Sequence, residues 1–275
     1  MKSLGKRQDT LVSLASLLAG AVLTLPLLYC VFTAFKTPAE MALPTLLPES
    51  FGNLENFREA LSRAPLLSYM GNSLAVALLG SGVRLLLAIP AAYAFAYFRF
   101  SGKRLCFFLI LATMMLPGDI LLMSNYLTVS RLGLLGTYTG VCIVSFVSAS
   151  QVFILRQRFL AIPRELWDAA RLDGCGDVTY LRKILLPVCR PLLTSLFLRS
   201  FIALWNSYLW PLVVTAASPE KRTVMVGITK LNSWEDTNYQ LVLAGVAISL
   251  LPSLLLFGIL RRSMERSEAD GALVG

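Results

Sequence analysis

Residues 11–35, LVSLASLLAGAVLTLPLLYCVFTAF, run for 25 positions without a charged side chain. The hydrocarbon core of a bilayer needs about 20 consecutive apolar residues in a helix, so this stretch reads as a membrane span. It is too long for the apolar region of a secretion signal. Cys30 follows Leu27-Leu28-Tyr29 rather than the small residues of a lipoprotein cleavage site, and a retained span is expected. Five more stretches of similar polarity follow, at residues 69–97, 105–129, 137–155, 192–215 and 239–260. The expectation is an all-α integral membrane protein with six transmembrane helices.

The composition agrees. Hydrophobic residues make up 56% of the chain and charged ones 15%, where a soluble domain carries about a quarter charged. There is no histidine, which removes the commonest general base and the commonest metal ligand. Cys30, Cys106, Cys142, Cys175 and Cys189 form no CxxC pair and read as unpaired packing residues, with neither a metal site nor a disulfide framework.

The net charge of +9 follows topology rather than nucleic acid. With the N-terminus inside, sixteen of the 25 Lys and Arg residues fall in segments facing the cytoplasm and seven face outward, while Arg84 and Arg199 lie within spans. Basic loops stay in the cytoplasm, so both termini are expected there. The chain then divides into a cytoplasmic N-terminus (1–10), a six-helix transmembrane domain (11–260) and a cytoplasmic tail (261–275). An outward connection contains FGNLENFREAL (51–61), read as a short amphipathic helix with Phe51, Leu54, Phe57 and Leu61 on one face.

The cytoplasmic connection, residues 156–190, is punctuated like two helices. Pro163 suits a first turn, Glu165 and Asp168 complement a helix N-terminus, and Gly174 and Gly176 stop the helix. A second piece is expected over 177–186, ending before Pro187. On the first helix Leu166, Ala169, Ala170 and Asp173 share a face, and small residues there let another backbone approach. On physics alone the segment is equally an amphipathic helix lying on the membrane.

Its residue order resembles the EAA loop of ABC (ATP-binding-cassette) importer permeases: acidic-Ala-Ala, three residues, Gly, nine residues, Ile, one residue, Leu-Pro. Here Asp168-Ala169-Ala170, Gly174, Ile184 and Leu186-Pro187 stand at those positions, with Asp168 in place of the usual glutamate. Asn72-Ser73-Leu74, residues 91–96 (AAYAFA), Met115-Leu116-Pro117 and residues 205–212 (WNSYLWPL) are similar to the carbohydrate-uptake branch, and to its second permease of the maltose and glycerol-3-phosphate type. The tail Ser267 to Gly275 keeps only half of that branch's ending.

The resemblance implies a type I importer permease with a cytoplasmic coupling helix. It also implies a homologous second permease, an ATPase dimer, and a periplasmic or lipid-anchored substrate-binding protein. Glu165, Leu166, Asp168, Ala169, Ala170, Asp173 and Gly174 would contact the ATPase. No Walker A sequence occurs, so ATP belongs to the partner and this chain binds no cofactor.

The pathway residues are less defined. Asp119, about 14 residues into its span, either pairs with Arg84 or Arg199 to fix packing or faces the pathway. Asn125, Tyr126, Asn206 and Tyr208 either meet a sugar or join helices to each other and to the interface. The implied function is import of a sugar or oligosaccharide. Glycerol-3-phosphate or a phosphodiester is the alternative substrate, and a stand-alone secondary transporter or a membrane enzyme the rival class.

Overall fold

The structure is a computed structural model that describes residues 2–43, 45–232 and 238–271; side chains are described between 12 and 260 except those of 44, 119 and 233–237. Its described elements are helical. In chain order they are α1 (Lys2–Thr33), α2 (Pro38–Met41), α3 (Glu55–Arg63), α4 (Leu66–Tyr97), α5 (Lys103–Thr113), a 3₁₀ turn (Gly118–Leu121), α6 (Leu122–Arg131), α7 (Tyr138–Ile143) and α8 (Ala149–Leu160). Then come α9 (Arg164–Leu172), α10 (Asp177–Tyr180), a π segment (Leu181–Leu185), α11 (Leu186–Val188), α12 (Arg190–Trp205), α13 (Leu209–Val214), a 3₁₀ turn (Pro219–Lys221), α14 (Val224–Ile228) and α15 (Tyr239–Gly271).

Three of these are long and apolar enough to cross a membrane: Val12–Thr33, Leu66–Tyr97 and Tyr239–Leu260. They match the first, second and sixth expected spans, although α15 continues past residue 260. The other three expected spans are not continuous helices. Residues 105–129 divide into α5 and α6, 137–155 into α7 and α8, and 192–215 into α12 and α13.

Each break has a local cause. Pro117 lacks an N–H and pushes Leu116 out of the helical region. Ser148 caps α8, its hydroxyl accepting from the Gln151 N–H at 3.4 Å. Pro211 sits in the first turn of α13, where a missing N–H costs nothing; in a continuous helix its ring would strike the carbonyl of Ser207. Asp119 follows the break at Pro117, so its position about 14 residues into the span is not counted along one unbroken helix.

The chain forms two compact units. One comprises residues 1–67 and 227–251. Phe51 meets Phe32 and Phe35 edge-on at 5.6 and 5.7 Å, and Phe57 lies 4.9 Å from Phe35. The short amphipathic helix is present but shifted: α3 starts at Glu55, after Phe51 and Leu54. The face it buries is Asn56 and Ala60, while Leu54 and Leu61 are exposed. Polar chemistry decides this. The Asn56 amide donates to the carbonyls of Ala34 and Lys36 at 2.9 and 2.8 Å, satisfying buried backbone groups in the turn just past the end of α1.

The other unit comprises residues 68–226 and 252–275. Its core joins α4, α8, the 156–190 connection and the start of α12 through Ala92, Tyr93, Leu155, Phe159, Tyr180, Leu185 and Leu196. Polar ties reinforce it. The Gln151 amide donates to the Leu196 carbonyl and the Ser200 hydroxyl at 3.1 and 2.6 Å. Asn72 donates to the carbonyls of Glu220 and Arg222, and the Ser73 hydroxyl accepts from the Val224 N–H. The Asn72-Ser73 pair read in the sequence is therefore a clamp on the segment that precedes α14.

Candidate coupling loop and translocation pathway

Helix α9 occupies residues Arg164–Leu172, as its punctuation predicts. Pro163 is the N-cap rather than a first-turn residue. The stop is a complete Schellman motif: Cys175 N–H donates to the Ala170 carbonyl at 2.9 Å and Gly174 N–H to the Arg171 carbonyl at 3.0 Å. This geometry needs a left-handed residue, and Gly174 has φ +77°. Gly176 does not share that task; its backbone is extended and it opens α10. The second piece does not end before Pro187. It widens into the π segment, continues through Val188, and bends by 79° into α12. The widening lets the helix accommodate a residue that cannot donate to the carbonyl four back.

The two faces of α9 differ from the expected face. Ala170, expected on the ATPase side, is 5% exposed and packs into the core with Tyr93, Phe159 and Tyr180. Beside it Trp167 turns inward. Its ring stacks on Tyr97 at 4.9 Å, meets Tyr180 edge-on at 4.7 Å and lies 6.3 Å from Tyr93. The Arg171 guanidinium covers the indole at 4.3 Å and pairs with Asp177 at 2.6 Å. Asp177 also accepts from the Tyr93 hydroxyl at 3.0 Å. Glu165, Leu166, Asp168, Ala169, Leu172 and Asp173 are exposed, Leu172 at 90%. The sequence reading missed Trp167 and Leu172. The apolar Trp167 and Ala170 at i, i+3 spacing, followed by the exposed Arg171 that covers the indole, were the available signal.

The three breaks also come together. A cavity of about 520 Å³ is lined by Gly118, Leu121, Leu122 and Asn125 after the first break, Val144 at the second, and Ser207, Tyr208, Leu209 and Trp210 at the third. Irregular backbone at membrane depth is tolerated where it faces protein or a cavity. Asn125 and Tyr208 thus share one space, whereas Tyr126 and Asn206 do not line it. Trp210 is fixed by its indole N–H, which donates to the Val141 carbonyl at 3.0 Å. Arg84 reaches the second break, where its Nε donates to the Ser145 carbonyl at 2.5 Å. The side chain of Asp119 lies outside the described residues, as do residues 272–275 of the tail. Arg199 is exposed on α12.

The family described as the binding-protein-dependent transport system inner membrane component matches residues 84–267. The chain belongs to this family. Its relatives include the sn-glycerol-3-phosphate transport system permease protein UgpE of Brucella melitensis, 30% identical over 88% of this chain and 89% of that protein. Another is the arabinooligosaccharides transport system permease protein AraQ of Halalkalibacterium halodurans, 31% identical over 91% of both. A solved bacterial ABC transporter involved in import of the acidic polysaccharide alginate shares the fold, with TM-score 0.79 over 94% of this chain and 97% of its own at 22% identity.

The protein is therefore a permease of an ABC importer, and its relatives are transport proteins rather than enzymes. The secondary-transporter and membrane-enzyme alternatives fall with that membership. Importers of this class work with an ATPase and a substrate-binding protein.

Proposed function

We propose that this permease, with a homologous second permease, forms the pathway for a sugar or oligosaccharide across the bacterial cytoplasmic membrane. A dimer of ATP-binding-cassette ATPases drives it through α9, and a periplasmic or lipid-anchored binding protein delivers the substrate. The carrying observation is the two-sided α9: Trp167 and Ala170 face inward, while Glu165, Asp168, Ala169 and Leu172 face outward. An outer face bearing a leucine 90% exposed supports a helix that enters a partner's groove. Asp168 and Asp173 fix the register of that contact. ATP stays on the partner, and this chain needs no cofactor or metal.

Counting each interrupted pair as one crossing, α1, α4, α5 with α6, α7 with α8, α12 with α13, and α15 make six spans. The Lys and Arg distribution supports cytoplasmic termini, a permease domain over 11–260, and a tail from 261. Single cysteines at Ser3 and Ser267 then react with cytoplasmic reagents and one at Glu55 with external ones. Labelling of position 267 from outside overturns the count.

Asn125, Ser207 and Tyr208 supply amide and hydroxyl groups to the cavity between the breaks, and Trp210 supplies an aromatic wall. A neutral polyol fits this lining, which carries no Lys or Arg among the described residues. The similarity to UgpE favours the second reading, glycerol-3-phosphate. ATP-driven uptake of each compound into membrane vesicles decides between them. ATPase co-purification tests the assembly, and a permease that is isolated alone and transports without ATP refutes the proposal.

A further inference from the structure

Away from the loop and the pathway, a cavity of about 380 Å³ opens between α5 and α8. Lys103, Arg104, Phe107, Phe108, Leu111 and Arg156 line it. Half of these residues are cations, and neutral groups hold two of them in place. The Arg156 guanidinium lies 4.2 Å from the Phe107 ring centre, and its Nε donates to the Phe95 carbonyl at 3.0 Å. Lys103 Nζ donates to the Phe98 carbonyl at 2.7 Å. Carbonyls and ring faces orient a cation but leave its full charge in place.

Among the described residues no ion pair reaches these three cations. The ion pairs among the described residues are Arg63 with Glu59 and Arg171 with Asp177. Between Glu59 and Glu165 the sequence holds a single acid, Asp119, far from Lys103 along the chain. The start of α5 adds the positive end of its dipole. From the same end, Leu105, Phe108 and Leu109 run along α5 as an apolar face, each more than half exposed. Cations that form no ion pair among the described residues, at one end of an exposed apolar face, are the chemical complement of an anionic amphiphile.

We propose that this cavity binds the phosphate headgroup of an acidic phospholipid, with the acyl chains lying along Leu105, Phe108 and Leu109. The site rests on the membrane reading, which puts Lys103 and Arg104 at the cytoplasmic leaflet, and is independent of the α9 contact. Arg104 is the exposed cation that reaches the phosphate, while Lys103 and Arg156 form the floor.

The test uses the full-length permease purified with its partner subunits and equilibrated in micelles holding equal phosphatidylglycerol and phosphatidylcholine. Lipid retained through size-exclusion is counted by mass spectrometry. Wild type retains phosphatidylglycerol over phosphatidylcholine by about tenfold or more, and Arg104→Gln lowers that preference by about fivefold. The double variant Lys103→Gln/Arg104→Gln removes it in an otherwise monodisperse complex. Equal retention of the two lipids by wild type overturns the proposal, as does an unchanged preference in Arg104→Gln. Loss of bound lipid to millimolar inorganic phosphate assigns the cavity to a soluble anion and overturns the lipid assignment. Should the double variant fail to assemble, the wild-type preference and the single variant decide. Transport is not the readout, so failure here leaves the proposed function standing.

Discussion

The indole of Trp167 on α9 stacks on the phenol ring of Tyr97, at the C-terminal end of α4, with centroids 4.9 Å apart and planes 26° from parallel. Tyr180 closes the third side edge-on, and Arg171 caps the indole while pairing with Asp177. These contacts tie α9 to a helix long enough to cross the membrane, the route by which the proposed coupling would act. Each aromatic pair contributes about 0.5–1.5 kcal/mol beyond area burial. Trp167→Ala should lower ATP-driven transport while ATPase binding persists, because the outer face is intact and only the anchor is gone. Hydrogen exchange should rise in residues 164–172, and Trp167→Phe should restore part of both. Unchanged exchange and full transport in Trp167→Ala would sink the anchor.

Neighbouring alanines should behave oppositely. Ala169 is exposed and Ala170 is 5% exposed. Ala169→Arg should leave stability within about 0.5 kcal/mol yet release the ATPase during purification. Ala170→Leu should overfill the core and destabilise by about 1–3 kcal/mol, read as a lower melting temperature of the isolated permease. The reverse pattern would mean that α9 is turned over.

Gly174 has φ +77°, and a Cβ built there meets nothing within 4 Å. Any cost of substitution is therefore backbone strain, about 1–2 kcal/mol for a residue that resists the left-handed region. Gly174→Val should displace the end of α9 and uncouple ATP hydrolysis from transport. Gly174→Asn, which tolerates that conformation, should keep most of the activity. Equal loss in both variants would point to a side-chain clash with a partner instead.

In the cavity between the breaks, Asn125→Ala and Tyr208→Phe should lower transport without loosening the complex, because each removes a polar group from one shared wall. Asn206→Ala, outside that wall, should have a smaller effect on the transport KM. An Asn206→Ala defect larger than both would move the pathway elsewhere.

Glu40 gives a pH-dependent element. Backbone N–H groups of Thr37 and Glu49 each donate to its carboxylate at 2.6 Å, and the Thr37 hydroxyl completes a capping box. These donors, Thr37 first, hold the Glu40 carboxyl below its ordinary pKa. A depressed folded-state value means stabilisation is fully present above the unfolded carboxylate pKa and is lost as pH falls through the folded value. Protease nicking within residues 37–49 should thus increase on acidification, and Glu40→Gln should flatten that dependence. A Glu40→Gln protein with the wild-type pH profile would refute it.

Residues 11–35, 69–97 and 239–260 are membrane spans in the sequence and long helices in the structure, because a continuous apolar run has one way to satisfy its backbone in lipid. The bounds of α9 and its stop were equally legible, since Pro163 and Gly174 act on their own backbone and need no neighbour. Pro117 reads as a kink in residues 105–129, whereas the breaks in 137–155 and 192–215 were not read, although Ser148 and Pro211 stand in the sequence. A helix in an apolar run kinks or ends according to what receives its open carbonyls, and at the second break the Arg84 side chain, 61 residues away in sequence, receives that of Ser145. The same limit hid the orientation of α9. Its sequence marks an apolar side with Leu166, Trp167 and Ala170 but not what covers it, and the aromatic rings of Tyr93, Tyr97 and Tyr180, brought together only by the fold, receive Trp167 and Ala170.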